Sequence, residues 1–69
     1  MFVKLMGADG KSCGVHEVAA CIFHERTDEA GWWATMTATN GDVSQVMLEG
    51  SAYLMNEHGV TFDKFSLPL

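Results

Sequence analysis

Trp32-Trp33-Ala34-Thr35-Met36-Thr37-Ala38-Thr39, closed by Asn40-Gly41-Asp42, is the stretch on which the fold turns. Its polarity alternates: Trp33, Thr35, Thr37 and Thr39 interleave with Trp32, Ala34, Met36 and Ala38. Side chains along a strand point to opposite faces with period two, so this pattern predicts a strand with one face in the core. Asn40-Gly41 supplies two residues that tolerate positive φ, as a tight type I′ hairpin needs. The adjacent tryptophans then fall on opposite faces, and one of them must look outward.

Downstream, Val43 to Glu49 reads as the return strand, with Val46 and Leu48 on one face, and Gly50-Ser51 interrupts it. Ala52 to Asn56 is a further strand, Glu57-His58-Gly59 a turn, and Val60 to Phe65 a last strand before Pro68, which lacks a ladder donor. Upstream, Phe2 to Met6 is a short apolar strand ended by Gly7 and the Asp9-Gly10 turn signal. Cys13 to Arg26 reads two ways. As a helix it aligns Val15, Val18, Ala19, Ile22 and Phe23 in one stripe, with Ser12 as cap. As an outgoing strand, Ala20 to Arg26 pairs with the Trp32 strand across a short loop, and its first half stays open between a short helix and a turn. Short connections make successive strands antiparallel neighbours. The expectation is a single domain over 1–69, mainly antiparallel β, as a meander of four to six strands, with room for one short helix within 13–25.

The chain has 69 residues, 48% of them hydrophobic and 19% charged, which is a globular composition. At this size one core is barely sufficient, and a homodimer or a bound partner is expected to cover the surplus of Trp, Phe and Met. Nine acidic residues against four basic ones give a net charge of −5. Such a surface repels nucleic acid and anionic membrane, and favours a basic protein partner or, as is more common, simply keeps the chain in solution. No apolar run nears the ~18 residues of a membrane span. Met1 to Met6 lacks the layout of a signal peptide, so a reducing cytoplasmic setting is expected.

Catalytic and metal chemistry find little support. Cys13-Gly-Val-His16-Glu17 recurs as Cys21-Ile-Phe-His24-Glu25, a Cys-x2-His repeat that superficially suits zinc. On one strand the two cysteines would lie roughly 26 Å apart, at ~3.3 Å per residue. On one helix the separation is roughly 12 Å, at ~1.5 Å per residue. Neither allows a shared metal or a disulfide. His16, His24, His58 and the serines sit in no recognisable nucleophile frame, so neither an enzyme nor a cofactor is expected. Lys4, Lys11, Arg26 and Lys64 are too scattered in sequence to make a nucleic-acid stripe.

What remains is surface. Glu25, Asp28 and Glu29 cluster around one loop, immediately before Trp32 and Trp33. Spaced carboxylates on a rigid sheet can imitate phosphates and occupy a DNA-binding groove. In size, acidity and absence of a catalytic frame, the whole chain resembles the small phage-encoded inhibitors of bacterial defence, anti-CRISPR proteins among them. That resemblance rests on type rather than on a motif, and it carries over no family residue. It implies a non-enzymatic inhibitor that blocks a basic, nucleic-acid-handling surface. Glu25, Asp28, Glu29 and the outward member of the Trp32–Trp33 pair are the expected contact residues. A small self-assembling subunit is the alternative, and a zinc module a minor one.

Overall fold

The computed structural model describes residues 1–67. Seven antiparallel strands form two sheets: β1 (Phe2–Met6), β2 (Ser12–Glu17), β3 (Ala20–Glu25), β4 (Trp32–Thr37), β5 (Val43–Met47), β6 (Ala52–Met55) and β7 (Thr61–Phe65). One sheet has the order β2-β1-β6-β7 and the other β3-β4-β5. The antiparallel β class is the expected one, with seven strands instead of four to six. The helix entertained within 13–25 is instead β2, a crossing at Val18-Ala19, and β3.

The helical stripe misleads because its members separate. Val18 is 3% exposed and plugs one end of the structure, whereas Val15 and Ile22 stand out in solvent. The crossing is tied to both sheets, since Val18 N–H donates to Met1 O (2.9 Å) and Ala19 N–H to Thr37 O (2.7 Å). At the opposite end the β5–β6 connection crosses back. There Leu48 N–H donates to Trp32 O (2.8 Å) and Met6 N–H to Ser51 O (2.9 Å).

The two sheets face each other across Val3, Ala34, Met36 and Ala52, with Val18 and Leu48 from the crossings completing the buried core. These residues alternate along their strands with half-buried or exposed neighbours, as a packed face requires. Phe65 of β7 stacks on Phe23 of β3 with ring centroids 4.7 Å apart, and Trp32 tilts against it at 5.2 Å. That places β7 over β3. Cys13 and His16 of β2 share a cleft of about 230 Å³ with Val46 and Met47, which places β2 over β5.

Three hairpins use one turn design. In Gly7–Lys11, Ala38–Asp42 and Asn56–Val60, the first residue's N–H bonds the fifth residue's carbonyl, and the fourth residue, a glycine, bonds back to the first. Gly10, Gly41 and Gly59 have φ of 81°, 93° and 78°. This is a three-residue loop, a type I turn followed by a left-handed glycine that forms a bulge. The type I′ turn expected at Asn40-Gly41 is absent because it needs positive φ at both residues, and none of the described non-glycine residues has it. Asn40 instead accepts the Asp42 N–H through Oδ1 (3.0 Å), and Asp9 does the same for Lys11 (3.0 Å). Because a Cβ at Gly41 would meet nothing within 4 Å, Gly41→Ala isolates the backbone cost. The expected loss is about 1–2 kcal/mol. Chemical denaturation measures it, and Gly41→Asn should recover part of it.

Candidate functional site

The β3–β4 hairpin carries the expected acidic corner. Its paired ends are Glu25 and Trp32, with His24 and Trp33 one step further in. Alternation sends Trp32 inward against Phe65 and the core. Trp33 is the outward tryptophan.

Arg26, one of the four cations scattered in sequence, organises this corner. Its guanidinium grips Asp28 with two bonds, Nε to Oδ1 (2.9 Å) and Nη2 to Oδ2 (2.5 Å), and reaches Glu29 at 4.0 Å. The same group lies 4.6 Å from the Trp33 ring centroid, a cation–π contact. The hydrogen bonds from Arg26 hold the Asp28 carboxyl below the usual carboxylate range, and the Arg26 pKa rises in return. Two carboxylates, Asp28 and Glu29, thus share one cation. The Trp33 indole N–H is enclosed and has no acceptor among the described residues. An Arg-x-Asp spacing in a short loop was the available signal for this clasp.

Beside Trp33, the outer face of the three-stranded sheet bears a hydrogen-bonded row. His24 Nδ1 lies 2.9 Å from Glu25 O, and a carbonyl only accepts, so Nδ1 carries the proton. Nε2 then accepts from the Thr35 hydroxyl (2.6 Å), which in turn accepts from Gln45 Nε2 (3.0 Å). The row is satisfied within itself. It stands on the open sheet face, and none of its three residues lines the cleft shared by Cys13, His16, Val46 and Met47.

The acidic loop has neighbours that sequence distance hid. Bonds from Leu48 to Trp32 and from Met6 to Ser51 bring the β3–β4 loop, the β5–β6 crossing and the Gly7–Lys11 turn to one end. Asp9, Glu25, Asp28, Glu29 and Glu49 therefore gather there, five of the chain's nine carboxylates, with Lys11 and Arg26 as local cations. The two remaining lysines are also brought together. Lys4 pairs with Tyr53 and Tyr53 with Lys64, so the two lysines flank one ring on the outer face of the four-stranded sheet, with Lys64 Nζ 5.4 Å from the ring centroid.

The Cys-x2-His repeat is split between sheets, Cys13 and His16 on β2 and Cys21 and His24 on β3. Both cysteines are free, and burial pushes the Cys21 thiol pKa up. Among the described residues no three His, Cys, Asp or Glu side chains are grouped to hold a metal ion. No helix among them is long and apolar enough to cross a membrane. No family pattern matches the chain, and comparison with curated proteins and with solved structures finds nothing similar to it.

Proposed function

We propose that this chain is a non-enzymatic inhibitor that docks its acidic end and Trp33 on a basic, nucleic-acid-handling protein surface, in the manner of a nucleic-acid mimic or an anti-CRISPR protein. The gathering of Asp9, Glu25, Asp28, Glu29 and Glu49 at one end supports this most directly. Spaced carboxylates held by a stiff sheet lose little entropy on binding and steer a basic partner over long range. Arg26 adds definition. Its grip fixes Asp28 in place and covers Trp33, so the corner presents charge beside a half-buried aromatic. A central aromatic with a charged rim is how binding energy is commonly distributed at protein interfaces.

Capture from a bacterial lysate tests the reading. A basic protein should be retained at low ionic strength and released as the screening length shrinks from ~30 Å at 0.01 M to ~8 Å at 0.15 M. Glu25→Gln combined with Glu29→Gln and Glu49→Gln should cut retention on the order of tenfold. Failure to retain any basic protein at low salt removes the proposal.

A further inference from the structure

Two open sheets have four edges, here β2, β7, β3 and β5. An edge strand offers unpaired backbone donors and acceptors, and proteins guard it with charge, bulges or proline. Three of these edges are guarded. The β2 edge has a register shift, Gly14 at φ 140° and Glu17. The β7 edge has a register shift opposite Leu54/Met55, with Asp63 and Lys64. The β3 edge keeps an unbroken register and an exposed Ile22, but it ends in Glu25 and runs into the acidic loop. By contrast β5, Val43-Ser44-Gln45-Val46-Met47, has no charge, no proline and an unbroken register with β4. Val43 is 64% exposed and Met47 51% exposed.

The hydrogen-bond phase of β5 is fixed. Leu48 N–H donates to Trp32 O and Ala38 N–H to Asp42 O, so residues 42, 44, 46 and 48 direct their backbone groups to β4. In an antiparallel ladder the intervening residues point the other way. Val43, Gln45 and Met47 therefore present their N–H and C=O groups at the open edge, the same three residues whose side chains lie on the outer face.

We infer that β5 is an interface between two copies of this chain, paired antiparallel about a two-fold axis at Gln45 to make one continuous six-stranded sheet. The occupant follows from the strand itself. In that register Val43 faces Met47 of the second copy, Ser44 faces Val46, and Gln45 faces its own equivalent, so each exposed apolar side chain gains an apolar cross-strand neighbour. An isologous contact requires such self-complementarity. Charge restricts where two copies can meet. A chain of net charge −5 repels its own copies, and the outer-face positions Trp33, Thr35, Thr37, Val43, Gln45 and Met47 carry no charge at all. This inference is independent of the acidic-end proposal, since β5 holds none of the carboxylates.

Sedimentation velocity on the full chain should show a concentration-dependent doubling of the 7.5 kDa monomer mass. Gln45→Pro removes an edge-facing donor while leaving the β4 bonds in place, and should hold the chain at monomer mass with its β-sheet circular dichroism unchanged. Met47→Lys should do the same by setting a charge at the junction, and it carries the test if the proline variant fails to fold. In a Cys13→Ser, Cys21→Ser background, Gln45→Cys should oxidise to a cross-linked dimer, because paired Cα atoms about 5.5 Å apart are within disulfide reach. Val43→Cys alone should not, its copies lying four residues out of register, and should cross-link when mixed with Met47→Cys. A chain that stays monomeric as its concentration rises overturns the inference. So does a dimer indifferent to both Gln45→Pro and Met47→Lys, or one that cross-links through Val43→Cys alone.

Discussion

Replacing Gly50 with alanine is expected to destabilise this protein by about 3 kcal/mol, the upper part of the overpacking range. An added Cβ would lie 2.6 Å from Gly7 O, 2.7 Å from Met6 O and 3.1 Å from Gly7 C. All three are backbone atoms, and neighbouring bonds hold them, Met6 N–H to Ser51 O and Gly7 N–H to Lys11 O (2.7 Å). Relief would require the β5–β6 crossing to lift from β1. The comparison with Gly7 makes the reasoning checkable. A Cβ at Gly7 would meet Asp9 Oδ1 at 3.0 Å and Cys13 Sγ at 3.1 Å, both ends of side chains that can turn away. Gly7→Ala should therefore cost under about 1 kcal/mol. At roughly 0.05–0.15 kcal/mol per residue, a chain of this length has about 3.5–10 kcal/mol in reserve, so Gly50→Ala should remove between about a third and nearly all of it. Urea titration reads both variants. Equal midpoints for the two would show that the close approach at Gly50 does not govern stability.

Trp32→Ala and Trp33→Ala should differ in kind. Trp32 packs against Phe65 and the buried core, and its loss should cost about 3 kcal/mol, at the low end for truncating a large aromatic because it remains partly exposed. Trp33 lies on the outer face under Arg26, so its truncation gives up mainly the cation–π contact and surface packing, about 1 kcal/mol. Under the proposed function Trp33→Ala should weaken partner capture while the chain stays folded, whereas Trp32→Ala should lower capture only in step with the folded fraction. Thermal melts and capture assays on the same samples separate the two. If Trp33→Ala binds as well as the parent chain, the acidic corner loses its aromatic anchor.

The parts of the fold legible in sequence are those where one strand face is covered. Trp32 to Thr37 alternates cleanly because Ala34 and Met36 are enclosed while Thr35 and Thr37 look out, and Phe2 to Met6 is marked by its apolar content and by Gly7. Ser12 to Glu17 gave no such signal. It is an edge strand with nearly every side chain in solvent, and an exposed strand has no reason to alternate. Val18 compounded the difficulty, since its burial belongs to the crossing and not to either flanking strand. At the candidate site, Glu25, Asp28 and Glu29 were visible as a cluster. The contributions of Asp9 and Glu49, and the meeting of Lys4 with Lys64, depend on pairings between distant strands that local spacing cannot encode. Arg26 was visible but counted only as a scattered cation, because its value lies in a stacked geometry.

Among the described residues, the ladders join strands adjacent in sequence in every case but one. The pairing of β1 with β6 links residues 47 to 53 positions apart, from Leu5–Ala52 to Phe2–Met55. The hairpins can therefore close early, each over a few residues, while the four-stranded sheet waits for the last third of the chain. Until that closure occurs, Val3 and Ala52, both 0% exposed in the finished structure, lack the neighbouring strand that flanks each of them. This one long loop closure is therefore the expected slow step of folding, and the β1–β6 seam the expected place for a nascent or heated chain to take the wrong partner.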